Sequence, residues 1–275
     1  MKRYFQYMAG AAMLMSLAAC GGSTGSGADE KARNLLRQAE EAVSGMDYEL
    51  AASILDSLDH GCKEAVEIRR EAMPLRARMM EGMSLKKIPE ADEAIADAMM
   101  RIDQIGQRMT DSGDGTDPYV VPSKWPARGD IKAEGLEPRV DRKGFFRLIV
   151  KSSGKVLDLN SVEFSAADGS SSASRPLPSD RVAKVEGMEL MSLAQEEFEP
   201  LAQWLELHKD GNLKAELVGA KGRRQLKFDG SQAAMLLDAW NYSRACQQLV
   251  EAQMERERLE RQLKIARDQI ARIDK

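Results

Sequence analysis

Apolar and small residues recur near the C-terminus at Tyr242, Ala245, Leu249, Ala252, Leu259, Leu263, Ala266, Ile270 and Ile273, in steps of three and four, with Arg256 the one misfit. That spacing is a heptad seam on one long helix, predicted over 231–275, and a seam needs a partner helix to bury it. Ile88, Ala91, Ile95, Ala98, Ile102, Ile105 and Met109 repeat the alternation and supply that partner. Earlier in the chain, Asp29 is the expected N-cap of a helix with the stripe Leu35, Leu36, Ala39, Ala42 and Val43, and Gly45 is its expected C′ residue. Asp47 then caps a second helix carrying Leu50, Ala51, Ile54, Leu55 and Leu58. A third is predicted from near Cys62, broken or kinked at Pro74 and Pro89, because each proline removes a backbone donor.

Between the two seams the period changes. Residues 111–118 carry turn chemistry, 119–121 read as a short extended piece, and the proline-, glycine- and charge-rich stretch to Arg142 reads as loop. Residues 145–151 are strand-like, 152–155 a hairpin turn and 156–164 the return strand. Residues 167–172 read as a loop, 182–193 as holding another strand, and 196–208 as a helix with Phe198, Leu201, Ala202 and Leu205 on one side. Residues 213–218 alternate apolar and polar, 219–222 turn the chain and 225–228 return it. The expected fold class is therefore α+β. An N-terminal helical hairpin and the first stalk helix fill 29–110, a small antiparallel β-rich domain is inserted at 111–230, and 231–275 closes an antiparallel coiled-coil stalk.

Composition changes this picture little. Aromatic residues are 5% of 275, so the core is expected to be mainly aliphatic, with the 16 methionines filling gaps between helices. A formal charge of −4 argues against a general nucleic-acid binder. Arg256, Arg258, Arg261, Lys264 and Arg267 alternate with Glu251, Glu255, Glu257 and Glu260, as solvated ion pairs beside a seam do.

The N-terminus carries an address. Lys2 and Arg3 precede an apolar run over 8–19 that is too short for a comfortable membrane span and ends in Leu17-Ala18-Ala19-Cys20. This element resembles the lipobox of bacterial lipoproteins. The resemblance implies that 1–19 is a signal peptide cleaved before Cys20, and that Cys20 is lipidated and anchors the chain to a membrane. Residues 20–28, rich in glycine and serine, read as a flexible tether. With no acidic run directly after Cys20, the expected location is the outer membrane facing the periplasm, with surface exposure the alternative. Residues 39–58 resemble a single tetratricopeptide-type hairpin, too few repeats for a binding groove. The mature chain as a whole resembles a loosely defined group of Gram-negative envelope lipoproteins, through Ile54-Leu55-Asp56-Ser57-Leu58, Leu157-Asp158-Leu159-Asn160-Ser161-Val162 and the late hairpin. That likeness implies architecture and no activity.

Candidate chemistry is sparse. His60 with Cys62 offers two metal ligands where zinc takes four, or three plus water, so no metal site is expected. His208 ends a predicted helix. No nucleophile-elbow, Walker or dinucleotide fingerprint occurs, and the segment Gly219-Ala220-Lys221-Gly222 leads into a strand where a phosphate loop needs a helix. No catalytic residue and no cofactor are expected. Trp240 reads as core, whereas Trp125, in a proline-flanked loop, is the candidate ligand contact. Cys62 and Cys246 are expected to be separate buried thiols. The expected function is that of a non-enzymatic, lipid-anchored envelope protein whose stalk presents the β-rich domain to an envelope protein partner. A glycan or cell-wall binding module using Trp125 is the first alternative, and an enzyme of unrecognised type the second.

Overall fold

The computed structural model describes residues 26–113, 118–126, 129–130, 132–209 and 211–273. The expected signal segment, the expected lipidation site Cys20 and most of the expected tether lie outside them. The fold is α+β, with five α-helices and ten strands among the described residues. It divides into two compact units, Met1–Leu85 with Gln262–Lys275, and Lys86–Arg261.

The first unit contains α1 (Ser26–Ser44), α2 (Tyr48–Gly61) and the beginning of α3 (Val66–Gly106). Its core joins Leu36 and Ala39 of α1, Leu55 and Leu58 of α2, and Ile68 and Ala72 of α3. Asp29 lies within the first turn of α1 and does not cap it. The left-handed residue after α1 is Met46 (φ 59°), not Gly45. The Met46 and Asp47 amides donate back to the Val43 and Ala42 carbonyls at 3.0 and 2.9 Å, a Schellman closure shifted by one residue. Asp47 does cap α2, accepting from the Leu50 amide at 3.1 Å. Cys62 closes α2 and does not begin α3. Helix α3 is unbroken over its 41 residues, Pro74 and Pro89 included, where a break was one of the expected outcomes. Around Pro74, buried Ala72, Ala77 and Met79 continue the stripe, and Arg76 holds Asp59 (2.8 Å) and the Leu55 carbonyl (3.1 Å). Those anchors offset the one hydrogen bond the proline forfeits. Farther along, Arg267 of α5 (Gly230–Ile273) meets Glu81 at 3.0 Å.

In the second unit the last part of α3 ends at Gly106, and Met109 already belongs to a strand. A six-stranded antiparallel sheet runs in the order β1 (Met109–Ser112), β2 (Tyr119–Pro122), β3 (Gly135–Asp141), β4 (Phe146–Ser152), β8 (Met188–Ala194), β7 (Val182–Val185). A four-stranded sheet runs β10 (Gly222–Leu226), β9 (Leu213–Gly219), β5 (Leu159–Ala166), β6 (Ser171–Ala173). Helix α4 (Gln195–His208) and the start of α5 complete one core with both sheets, centred on Phe146, Phe198 and Trp240. The Phe146 and Phe198 rings stack at 4.7 Å, and Trp240 meets both edge-on.

Three expectations are corrected here. Residues 135–141, read as loop, form β3 at the centre of the larger sheet. Pro138 is tolerated because β2 pairs only with Val140 and Asp141, so the proline lies beyond that ladder. Strands β4 and β5 do not form a hairpin: β4 is already flanked by β3 and β8, and the chain crosses to the other sheet. That crossing is held by buried Glu189, which accepts the Leu157 and Leu159 amides at 2.8 and 3.2 Å. Gly219 packs against it so closely that a β-carbon would overlap the Leu157 carbonyl oxygen. Finally, 182–193 holds two strands, turned at Glu186 and Gly187, both with positive φ (48° and 81°). The core of the β-rich part takes Leu236, Leu237 and Trp240 from α5, and Met109 packs against it, so its packing reaches past 111–230 on both sides.

Helices α3 and α5 are joined within this unit by Arg108–Asp238 (2.6 Å), Arg101–Gln248 (3.4 Å) and Arg256–Asp92 (2.5 Å). The side chains of Ser243 and Gln247 both donate to the Gly144 carbonyl, at 2.5 and 3.2 Å, tying α5 to the β3–β4 turn.

Candidate functional site

A cleft of about 330 Å³ opens beside that turn. Asp111, Val120 and Val140, neighbours across β1, β2 and β3, line one wall, and Tyr242 and Cys246, one turn apart on α5, line the other. Asp141, Arg142 and Gly144 form its rim. Gly144 is required there: its φ is +82°, and a β-carbon would lie 2.5 Å from Cβ of Cys246. Burial pushes the Cys246 thiol up, against a hydrogen bond with Tyr242 that lowers it. Burial, together with Cys246 and the charge of Asp111, also raises the Tyr242 phenol. Both groups therefore stay protonated at neutral pH, and a protonated thiol is a poor nucleophile. The cleft can hold a small polar molecule, but it has no activated base.

The strongest buried electrostatic feature lies on the other face of the same sheet. Glu137, fully buried, accepts from Lys151 at 2.7 Å, from Arg139 at 2.7 Å and from the Tyr119 hydroxyl at 3.2 Å. Burial pushes the Glu137 carboxyl up, but the Lys151 hydrogen bond and the charges of Arg139 and Lys151 outweigh it and hold the group below the usual carboxylate range. Lys151 also donates to the Asp130 carbonyl at 2.7 Å, and the Arg139 guanidinium lies 4.2 Å over the Tyr119 ring. Three donors converge on the one carboxylate, so this network holds the sheet and keeps Glu137 engaged.

A third cluster joins Ser170 Oγ to Asp168 (2.7 Å) and to Nε2 of His208 (3.1 Å), whose Nδ1 faces the Trp204 carbonyl at 2.8 Å. The single hydroxyl proton cannot serve Asp168 and Nε2 together. Here the carboxylate binds the serine, whereas a catalytic triad needs it on the imidazole. The cluster reads as a clasp between the β5–β6 turn and the end of α4.

No family model, no curated protein and no solved structure matches this chain.

The structure places the expected site residues as follows. Cys20 lies outside the described residues. Trp125, expected as an exposed ligand contact, is only 4% exposed, and its indole N–H donates to the Leu136 carbonyl at 2.8 Å. Its ring packs in the core and offers no face for stacking. His60 is paired with the Asp56 carbonyl at 2.8 Å, and among the described residues no group of three or more His, Cys, Asp or Glu is placed to hold a metal. Cys62 and Cys246 are both free, the first buried and the second half-buried. The Glu137–Lys151 pair escaped sequence reasoning because its members sit on separate strands, each looking like one more surface charge. The available signal was Lys151 directly after the apolar run Leu148-Ile149-Val150 of β4.

Proposed function

We propose that this chain is a non-enzymatic envelope lipoprotein, anchored by lipid on Cys20, in which α3 and α5 pair as an antiparallel coiled coil and the β-rich domain is presented to a protein partner. The supporting observation is the set of cross-links between the two helices. As the α3 partner advances from Asp92 to Arg101 to Arg108, the α5 partner retreats from Arg256 to Gln248 to Asp238. Seam residues Ala91, Ala98, Ala245 and Leu259 are buried, while the off-seam apolar residues Met99, Met100, Val250 and Met254 are exposed. This is the burial pattern expected of a packed seam. Residues 29–61 read as the accompanying helical hairpin. No helix among the described residues is long and apolar enough to cross a membrane. Attachment in this reading rests on the lipid, where each buried methylene contributes about 0.8 kcal/mol and two or more acyl chains give a stable anchor. The proposed location is the outer membrane facing the periplasm. The burial of Trp125 takes away the one aromatic contact named for the glycan-binding alternative, which leaves that reading only its loops.

Two measurements test this reading. Growth with radiolabelled fatty acid should label the wild-type protein, and Cys20→Ser should lose the label and leave the membrane fraction; an unlabelled wild type sinks the anchor. Photo-crosslinking from the β-rich domain in intact cells should yield one reproducible protein adduct. Adducts with lipid or glycan alone would sink the protein-partner reading.

A further inference from the structure

The β3–β4 hairpin carries positive charge that the fold itself does not use, at its turn and at Arg147 on the sheet face opposite the core. Phe146, Leu148 and Val150 of β4 point into the core, so Arg147 and Ile149 lie on the opposite face. Arg147 stands directly across from Arg139 of β3. Like charges in facing positions destabilise a sheet, so this pairing costs stability. Arg139 is compensated by Glu137, but that one carboxylate already serves Lys151 as well. The side chains of Arg142, Lys143 and Arg147 are exposed and have no ion-pair or hydrogen-bond partner among the described residues. Asp141, the nearest acid in sequence, spends one carboxylate oxygen on the Lys143 and Phe145 amides. Phe145 stands beside the cations, 52% exposed, in a chain whose formal charge is −4.

We propose that this face of the β3–β4 hairpin docks an acidic segment of a protein partner, with Arg147 and Arg139 gripping a carboxylate and Phe145 covering an adjacent apolar side chain. The proposal rests on the protein-partner reading above and names its surface. Guanidinium groups suit carboxylates because their donors form a planar fork, and an exposed aromatic with arginine is the composition of binding hot spots. A lipid surface is the weaker fit. Juxtamembrane lipid-binding clusters carry about four to eight lysines and arginines, whereas here three free cations share the hairpin with Asp141.

The test uses the full lipidated chain in phosphatidylcholine nanodiscs, titrated against a fluorescein-labelled peptide of alternating glutamate and leucine at about 50 mM salt, where surface charges are weakly screened. Expected is saturable binding that weakens at least about tenfold in the Arg142→Glu/Arg147→Glu double variant and severalfold in the milder Arg147→Gln. Arg175→Glu removes another exposed cation without a partner among the described residues and should leave binding within about twofold of wild type. Absence of saturable binding, or equal loss in Arg175→Glu, overturns the proposal. So does co-sedimentation with phosphatidylglycerol vesicles that the double variant abolishes while the peptide fails to bind. A protein adduct from crosslinking with no peptide binding would reject this face and spare the partner reading. Peptide binding with no protein adduct would do the reverse.

Discussion

A fragment of residues 116–230 is expected to melt without a cooperative transition, whereas 107–250 should unfold in a single one. The shorter fragment omits Leu236, Leu237 and Trp240, all of them members of the β-domain core. Each leucine contributes about 1.5–3 kcal/mol by burial, and a tryptophan burying about 200 Å² contributes about 5 kcal/mol. The lost sum, about 8–11 kcal/mol, matches the whole stability of a typical domain, about 5–15 kcal/mol. The truncation also strips β1 and uncovers Phe146 and Phe198, both of which pack on Trp240. Calorimetry of the two fragments decides the matter. A cooperative melt from 116–230 would show that the start of α5 merely rests on a self-sufficient core.

That boundary illustrates what could be read from the chain and what could not. The stripe of α4 and the β9–β10 hairpin were legible because each buries one face, and burial of one face leaves a period in the sequence. Trp240 was legible as core for the same reason. Strand β3 was not, because the face opposite the core carries Glu137 and Arg139, which pair with each other, Glu137 also pairing with Lys151 across strands. Leu136, Pro138 and Val140 do alternate with Glu137, Arg139 and Asp141, but Gly135 and Pro138 set in a charge-rich stretch have the composition of a loop and masked that period. The link from β4 to β5 failed differently. Ser153-Gly154 has hairpin-turn chemistry, and Gly154 does adopt φ +77°. Turn chemistry reverses a chain but does not say which sheet has a free edge. Trp125 failed by its surroundings: the Leu136 carbonyl that buries it lies 11 residues away along the chain. The cationic face was invisible for the same reason, since only strand register sets Arg147 opposite Arg139.

Replacing Lys151 by methionine is expected to cost about 3–5 kcal/mol, as removing one member of a buried ion pair does. The side chain is 3% exposed and its partner Glu137 is fully buried, so the carboxylate left behind cannot turn to water. Arg139 would remain beside it but already shares the charge. The double variant Glu137→Leu/Lys151→Met should recover at least half of the loss, because apolar side chains of similar volume replace both charges, although the Tyr119 hydroxyl and Arg139 lose a partner. The pH dependence has a definite sign. The Glu137 carboxyl is held below its ordinary value in the folded protein. Its contribution is therefore fully present above the usual carboxylate range and is lost as pH falls through the depressed value. In Lys151→Met the same carboxylate is less well compensated and takes up its proton at a higher pH, which relieves the variant first. The stability gap between wild type and Lys151→Met should thus be widest near neutrality and close on acidification. Urea titrations at pH 7 and at successively lower pH measure it. A gap of under about 1 kcal/mol at pH 7 would place this pair with surface salt bridges, and a gap that widens on acidification would mean that Glu137 is not the charge Lys151 compensates.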